Sequence, residues 1–436
     1  MIVPSIDIQE GRAVQLRGGA FPTLDLGDPL ELAARLSRVG QIAVVDLDAA
    51  RGRGENRALV ERIARTWPCR VGGGIRTKEA ALRYLDAGAR ALMIGTRADA
   101  DFLEGLPKDR IIAALDVRDG EIMVEGWSKG TGQGIEERLG ALAPLVSGFL
   151  VTFIEREGRL QGLDLARARA VVEAAVKAAP GCRVTFAGGA TQPSEIAELE
   201  AIGADVQAGT AIAMGQLDLA AAFAAPLGSD RPDGLWPTLV CDEGGRALGL
   251  AWSDLESLKA AVDSGRGVYK SRRRGLWEKG AESGNTQELI VIETDCDHDA
   301  LRFTVRQKGP FCHKGTYSCF GPATGFPKLE ATLAARRIDA PKGSYTRKLF
   351  EDPELLAAKL PEEAAELAAA ASREDAVSEA ADLIYFALAK LALKGAGMVD
   401  VEAELDRRSL KLTRRGGAAK PEWTRDEWGA TWTGLH

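Results

Sequence analysis

Three cysteines and three aspartates within residues 295–319 are the side chains of this sequence that are best suited to chemistry. Cys296, Cys312 and Cys319 are spaced 16 and 7 residues apart. Three thiolates can form a three-ligand zinc site, and zinc with three protein ligands keeps its fourth position for water, as catalytic sites do. The aspartates around the first cysteine are hard oxygen ligands suited to Mg²⁺, and they are Asp295, Asp297 and Asp299. This pattern predicts metal-dependent hydrolysis in the second half of the chain.

Two histidines leave alternatives open at this cluster. His313 follows a cysteine and is a candidate proton carrier at physiological pH, or else a structural histidine that only orients the ligand. A purely structural zinc would need a fourth protein ligand, which His298 or His313 could supply.

Length and charge limit the classes of protein. A chain of 436 residues exceeds one hydrophobic core, so we expect two or three domains. A net charge of −7 gives no general attraction to nucleic acid or anionic membranes, and we expect neither as a partner. We expect no membrane span and no secretory signal. Six cysteines are too few for a disulfide framework, so the expected location is cytoplasmic.

Strand and helix patterns alternate through residues 1–225, and the region is internally duplicated. The aspartates of Ser5–Ile8 and Ala114–Val117 are offset by 109 residues, and two glycine-rich segments repeat at offsets of about 116 and 114. Two such halves predict a (β/α)8 barrel. Glycine loops let backbone amides approach phosphate, and these are Gly73, Gly74, Gly95 and Thr96 in one half, with Gly188, Gly189, Gly209 and Thr210 in the other. The pattern predicts a substrate with two phosphates and proton transfer between them.

Residues 1–225 resemble the aldose–ketose isomerase of histidine biosynthesis, which converts an aminoaldose ribotide into the aminoketose. The resemblance rests on Pro4-x-Ile6-Asp7, the glycine run that ends at Arg76, and Asp116 followed by Gly126-Trp127. It implies that Asp7 and Asp116 are the acid/base pair, that Thr152 positions the substrate, and that Arg76 and the glycine loops bind phosphate.

Two positions depart from the isomerase pattern. Gly18 stands where the family has glutamine, and Glu157 where it has aspartate. The two catalytic aspartates could instead only cap loops, and a broader specificity, such as the related isomerisation of the tryptophan pathway, stays open.

Residues 229–321 follow a turn-rich linker and shift toward strand patterns. They resemble phosphoribosyl-AMP cyclohydrolase through Ser271-Arg272, Leu276-Trp277-x-Lys279-Gly280, Ser283-Gly284-x-x-Gln287 and the cysteine cluster. The resemblance implies a small, mainly-β α+β domain that opens the adenine ring between N1 and C6. It implies Zn²⁺ on the cysteines of two subunits of a homodimer and Mg²⁺ on the aspartates. The substrate contacts assigned on this basis are Arg272, Trp277, Lys279, Ser283 and Gln287, with the basic residues as phosphate ligands.

Residues 329–416 have a helical, alanine-rich pattern after a second linker at 321–327. Two acidic pairs, Glu363 with Glu366 and Glu379 with Asp382, each share a helix face. Facing pairs on a helical hairpin would gather four carboxylates around Mg²⁺. The alternative is two solvated acidic faces.

The helical segment resembles phosphoribosyl-ATP pyrophosphohydrolase, which belongs to the all-α nucleotide pyrophosphohydrolases. The resemblance rests on Ser344–Leu349, Lys359, Glu362–Glu366 and Glu379–Leu383. It implies magnesium-assisted attack of water on the α–β phosphoanhydride, and we assign Lys359 and Arg407 to the triphosphate. We expect the homodimer to form through the cyclohydrolase and helical domains. The tail, 417–436, contains Trp423, Trp428 and Trp432 and has no assigned role.

The three resemblances name consecutive reactions on phosphoribosyl nucleotides. They therefore predict a trifunctional enzyme in which the C-terminal domain acts first and the barrel last. One alternative keeps the two hydrolases and makes the barrel a non-catalytic scaffold. A more distant alternative is a nucleotide-binding regulator with vestigial metal clusters.

Overall fold

A computed structural model describes residues 1–17, 21–124, 127–157 and 159–413. Gly18, Gly126 and the tail tryptophans of the sequence analysis lie outside these ranges. None of the helices described combines the length and the apolar character that a bilayer crossing requires.

Among the described residues, twelve strands and ten α-helices form the first part of the chain. The strands are β1 (Ile2–Gln9), β2 (Arg12–Arg17), β3 (Phe21–Gly27), β4 (Ile42–Asp46), β5 (Cys69–Gly72), β6 (Ala91–Ile94), β7 (Ile111–Arg118), β8 (Glu121–Val124), β9 (Lys129–Gly134), β10 (Gly148–Phe153), β11 (Arg183–Ala187) and β12 (Ala204–Ala208). The helices are α1 (Pro29–Leu36), α2 (Leu47–Arg51), α3 (Arg57–Thr66), α4 (Lys78–Ala87), α5 (Ala100–Leu103), α6 (Ile135–Leu142), α7 (Leu165–Ala178), α8 (Pro193–Glu200), α9 (Thr210–Ala213) and α10 (Leu219–Ala224).

Eight of these strands close a parallel barrel, which confirms the predicted (β/α)8 architecture. The order is β10-β11-β12-β1-β4-β5-β6-β7, and β7 pairs with β10 to complete the ring. Antiparallel pairs β2–β3 and β8–β9 extend β1 and β7 at equivalent places. Asp7 pairs with Val14 and Asp116 with Met123, so both halves use the same register. The duplication of the sequence is therefore a duplication of structure.

The interior of the barrel is layered. Small and apolar side chains fill the middle, and they include Val3, Ala43, Met93, Ile112 and Leu150. Below them, the buried carboxylate of Asp205 pairs with Arg70 at 3.2 Å and with Arg183 at 2.8 Å. The amino ends of the strands are thus closed by apolar packing and paired charges, and the carboxyl ends remain for a site, as is usual in this fold.

The second part is rich in strands. Its elements are β13 (Trp236–Cys241), β14 (Ala247–Ser253), α11 (Leu255–Ser264), β15 (Val268–Ser271), β16 (Gly275–Glu278), β17 (Gln287–Thr294) and β18 (Leu301–Gln307). The sheet order is β14-β13-β18-β17, and β15 and β16 form a separate pair.

The barrel and the strand-rich part share one apolar core, in which α10 faces α11 and residues 37–39 face β17. Arg38 of the barrel donates a hydrogen bond of 2.6 Å to the carbonyl of Val262. Lys259 pairs with Asp218 of the barrel at 2.7 Å.

The last part is helical. It contains α12 (Gly325–Ile338), α13 (Tyr345–Glu351), α14 (Pro353–Ala369), α15 (Arg373–Leu393) and α16 (Met398–Ser409). Helix α12 begins within the segment interpreted as the second linker. The oxygen of Ser372 accepts a 3.0 Å hydrogen bond from the amide of Asp375 and so caps the start of α15. After α16 the chain contacts the barrel, where the carboxylate of Asp86 accepts a 2.7 Å hydrogen bond from the amide of Leu412.

Candidate active sites

Three carboxyl groups lie near the carboxyl ends of the barrel strands. Asp7 is on β1, Asp116 is on β7, and Glu157 follows the turn after β10. Burial raises the pKa of Asp7 to about 6, although Arg51 lowers it. Burial, together with the charges of Asp7 and Asp116, raises the pKa of Glu157 to about 7. Both groups therefore exchange protons near neutral pH, which acid/base catalysis requires.

Asp116 is oriented by two hydrogen-bond donors. Burial raises its pKa, and hydrogen bonds from the side chains of Trp127 and Thr152 lower it. Thr152 lies beside Asp116 in the β7–β10 register. The predicted threonine thus contacts a predicted catalytic aspartate, and Trp127 is a second support.

The two sets of glycine loops differ in their surroundings. Gly188, Gly189, Gly209 and Thr210 line a cavity that also contains Asp7 and Glu157. Gly73 and Gly74 instead pack against the backbone at Asp46 and Ala49, so closely that a Cβ at either position would clash. Gly95 and Thr96 are exposed.

Arg76 caps a helix in this structure. Its guanidinium donates hydrogen bonds of 2.7 Å to the carbonyls of Ala49 and Ala50, near the end of α2. To bind phosphate as predicted, the guanidinium must either use its remaining N–H groups or break these two hydrogen bonds.

The cysteines of the strand-rich part are divided into a pair and a single residue. The thiols of Cys312 and Cys319 are hydrogen-bonded to each other. Backbone and hydroxyl donors at Lys314 and Thr316 lower the pKa of Cys312. Cys296 is exposed and does not join them, because the groups of three potential ligands within 4.8 Å found in the described residues contain no cysteine. One chain therefore supplies two of the three predicted zinc ligands at one place.

The aspartates of this part do converge. Asp295, Asp297 and Asp299 place carboxylate oxygens within 4.8 Å of one another. Two backbone amides, those of residues 299 and 300, donate to Asp295 at 3.0 and 3.1 Å and fix the loop. This oxygen-only set fits Mg²⁺.

His298 belongs to the same loop, but its side chain is directed to the barrel. Its Nδ1 lies 3.1 Å from the hydroxyl of Thr294, and its Nε2 lies 3.7 Å from Glu200 of α8. Its carbonyl accepts a 2.9 Å hydrogen bond from the amide of Gly228. His298 therefore braces the aspartate loop against the barrel.

The predicted substrate contacts of this part occupy different environments. Lys279 is buried, and burial lowers its pKa while Cys319 and Cys312 raise it, so its amine lies near the thiol pair. His313 is exposed, and its ring nitrogen is 4.0 Å from the sulfur of Cys312. Arg272 lies over the ring of Trp252 at 5.3 Å.

Three further predicted contacts differ in exposure. Ser283 is exposed, and Trp277 is half-buried against Tyr269. Gln287 is 2% exposed, and its amide already bonds to Tyr269 and Gln307 at 2.7 and 2.9 Å. In this conformation the side chain of Gln287 links β15 to β18 within the core of the strand-rich part.

Helices α14 and α15 bring together three of the four predicted carboxylates. Oxygens of Glu363, Glu366 and Glu379 lie within 4.8 Å of one another. Burial and the charges of Glu366, Glu363 and Asp382 raise the pKa of Glu379. Asp382 therefore lies close enough to act electrostatically, although outside the compact group. Such mutual repulsion is relieved by a divalent cation, so the set fits Mg²⁺.

The predicted cations of the helical part are engaged in ion pairs. Lys359 pairs with Glu362 and Glu363 at 2.7 Å each, and Arg407 pairs with Glu404 at 2.7 Å. A separate open pocket is lined by Lys342, Arg347 and Lys348. None of these three basic residues was among the predicted contacts, although Arg347 and Lys348 belong to the Ser344–Leu349 motif.

Three family models match the chain in succession. The model described as histidine biosynthesis protein covers residues 1–218, that of phosphoribosyl-AMP cyclohydrolase covers 249–321, and that of phosphoribosyl-ATP pyrophosphohydrolase covers 326–409.

Curated relatives agree with these matches. A histidine biosynthesis trifunctional protein of Neurospora crassa is 41% identical over 347 residues, which are 79% of this chain and 38% of the relative. That of Komagataella pastoris is 52% identical over 47% of this chain and 24% of the relative. The histidine biosynthesis bifunctional protein HisIE of Pyrococcus furiosus is 38% identical over 41% of this chain and 93% of the relative.

The chain spans well under half the length of the two fungal relatives, and nearly the whole of the archaeal one. The Neurospora match is too long to lie within residues 219–436, so it includes part of the barrel. Over residues 1–218 the chain belongs to the histidine biosynthesis protein family, and it continues into a phosphoribosyl-AMP cyclohydrolase domain and a phosphoribosyl-ATP pyrophosphohydrolase domain.

Proposed function

We propose that this chain catalyses three consecutive steps of histidine biosynthesis. The helical part converts phosphoribosyl-ATP to phosphoribosyl-AMP and pyrophosphate, the strand-rich part opens the adenine ring, and the barrel isomerises the aminoaldose ribotide. The observation that carries the proposal is the succession of three family models along one polypeptide. We further propose a cytoplasmic location, because none of the six cysteines forms a disulfide in the described structure.

In the barrel, we assign acid/base work to Asp7 and Asp116. A protonated carboxyl donates to the ribose ring oxygen as the ring opens, and the opposite carboxylate moves a proton between adjacent carbons. The raised pKa of Asp7 and of Asp116 supports this assignment, since each carboxyl group keeps its proton to a higher pH than a solvated aspartate does. Thr152 and Trp127 keep the second carboxyl oriented.

In the strand-rich part, we assign Zn²⁺ to Cys312 and Cys319 of one chain and Cys296 of a second copy. The exposed position of Cys296, apart from the thiol pair, supports a homodimer. Zinc supplies Lewis acidity that makes water nucleophilic near neutral pH. We assign proton transfer to His313, whose ring nitrogen lies 4.0 Å from the sulfur of Cys312. We assign to the buried Lys279 a positive charge beside the thiol pair.

In the helical part, we assign Mg²⁺ to Glu363, Glu366, Glu379 and Asp382. Magnesium supplies charge neutralisation to the polyphosphate. Lys359 can exchange its glutamate partners for phosphate oxygens. Lys342, Arg347 and Lys348 offer a second cationic surface for the same chain of phosphates.

A second candidate function leaves the barrel as a scaffold without catalysis. Two observations favour it. Gly73 and Gly74 pack against the chain itself, and the barrel shares its core with the strand-rich part. In that case the barrel serves to hold the hydrolytic domains, and the family's isomerisation is absent.

A product analysis separates the two candidates. The full chain is supplied with phosphoribosyl-ATP, Mg²⁺ and Zn²⁺, and pyrophosphate, ring-opened ribotide and aminoketose are quantified. Three products support the trifunctional proposal, and accumulation of the ring-opened aminoaldose supports the scaffold. Isomerisation that survives Asp7→Asn contradicts our assignment of the barrel site. Metal analysis of the same sample tests the zinc and magnesium assignments.

A further inference from the structure

Gln207 is a polar residue in the barrel interior for which the acid/base assignment has no role. It lies on β12, in register with Val3 of β1 and Ala187 of β11. It lines the cavity that contains Asp7 and Glu157. Its Oε1 atom is buried and has no hydrogen-bond partner in the part of the chain that the structure describes. Because buried polar atoms are nearly always paired, an unpaired one on a residue that lines a cavity indicates a partner other than the described residues.

The neighbouring side chains do not provide that partner. Val3 and Ala187 carry no polar side-chain atoms. In the layer below, Arg70 donates to Thr185 at 2.7 Å and to Asp205 at 3.2 Å, and Arg183 also donates to Asp205. The cationic side chains beneath Gln207 are therefore directed to other acceptors.

The chemistry of the cavity limits what the partner can be. Its described lining contains the carboxyl groups of Asp7 and Glu157 and the glycine loop at 188–189, but no lysine or arginine. A sugar hydroxyl can donate to an amide oxygen and accept from an amide nitrogen, so it satisfies either orientation of the glutamine. An ionised phosphate oxygen only accepts, so it satisfies the glutamine in only one of these two orientations.

We propose that Gln207 binds a ribose hydroxyl of the barrel's substrate and so contributes to its selection among sugar phosphates. The proposal rests on the isomerase function proposed above, and it adds a recognition residue to that site. Gln207 holds the ribose while the carboxyl groups exchange protons.

The test compares Gln207→Leu with the wild-type full-length protein. Loss of one neutral hydrogen bond in a closed site weakens binding about tenfold. We expect KM for the aminoaldose ribotide to rise about tenfold with kcat nearly unchanged, because the same bond is made before and during reaction. The thermal midpoint should not fall, because the substitution removes an unpaired buried acceptor. Gln216→Leu, at an exposed glutamine outside the cavity lining, is the matched control.

Ribotide analogues that each lack one ribose hydroxyl sharpen the result. One analogue should bind the wild type about tenfold more weakly than the parent ribotide does. The same analogue and the parent ribotide should bind Gln207→Leu with equal affinity. An unchanged KM in Gln207→Leu overturns the proposal. A lower thermal midpoint also overturns it, because the amide would then have a structural role.

Calorimetric titration with the ribotide keeps this proposal separate from the isomerase assignment. If the wild type binds without turnover and Gln207→Leu binds about tenfold more weakly, the isomerase assignment fails and the role of Gln207 stands. If the wild type does not bind at all, both fail.

Discussion

Replacing Glu157 with glutamine should stabilise the barrel at alkaline pH and have little effect in acid. The pKa of Glu157 is about 7 in the folded protein, against an ordinary value of 4.5. Between these values the folded state keeps a proton that the unfolded state has lost. The free energy of unfolding of the wild type therefore falls as pH rises through this window. Glutamine does not titrate, so Glu157→Gln escapes the loss.

The size of the effect follows from the pKa shift. A rise from 4.5 to about 7 corresponds to about 3 kcal/mol at about 1.4 kcal/mol per pH unit. Glu157 is only partly enclosed and faces a cavity, so we expect about 2 kcal/mol at pH 8. At pH 5 the gain should fall below about 1 kcal/mol, because the unfolded state is then close to its own pKa.

Hydrogen exchange followed by mass spectrometry measures this gain in the free energy of unfolding in the intact chain. Peptides from β7 and β10 report opening of the barrel, and wild type and variant are compared at the same pH. At pH 8, about 2 kcal/mol should slow exchange about 30-fold where exchange requires barrel unfolding.

Glu155→Gln is the matched control two residues away. Burial alone would raise the pKa of Glu155, but hydrogen bonds and the 2.8 Å ion pair with Arg167 hold it below its usual value. Its replacement should therefore destabilise the barrel at pH 8, with a cost that shrinks as pH falls below 4.5. A gain in Glu157→Gln of equal size at pH 5 and pH 8 would refute the reasoning.

Three further predictions separate the sites. Asp7→Asn should slow isomerisation about 1000-fold and leave pyrophosphate release unchanged, as measured by product analysis. Cys312→Ser should lower the zinc content measured by atomic absorption and abolish ring opening, with pyrophosphate release retained; normal zinc content would contradict the assignment. Glu366→Gln should raise the Mg²⁺ concentration needed for half-maximal pyrophosphate release about tenfold, whereas Glu354→Gln, at an exposed position of the same helix, should not.

The barrel could be predicted because its sequence repeats. Asp7 and Asp116 are offset by 109 residues, and their strands have matching extensions and registers. The perturbed pKa of Glu157 could not be predicted, because it arises from burial and from charges on strands far apart in sequence. Gln207 gave no signal at all, since a glutamine within a strand can face either side of a sheet.

In the regions to which we assign metals, the sequence likewise predicted some features of the sites and not others. Spacing identified the carboxylates of α14 and α15, because residues three apart share a helix face. It did not indicate that Lys359 pairs with Glu363 of this set and with its neighbour Glu362. Nor did it indicate that Gln287 lies in a core with both its amide oxygen and its amide nitrogen hydrogen-bonded. A motif specifies which residues are present, whereas the partners of each side chain depend on the tertiary structure.

The shared core of the barrel and the strand-rich part has a consequence for genetics. Arg38 holds the end of α11, and Glu200 lies against the loop that carries the three aspartates. A substitution that unfolds the barrel should therefore impair ring opening as well, without touching any residue of the cyclohydrolase domain. Mutations on either side of this boundary would then cause the same loss of activity. A lost activity would therefore identify the damaged domain only when the folding of both domains is measured.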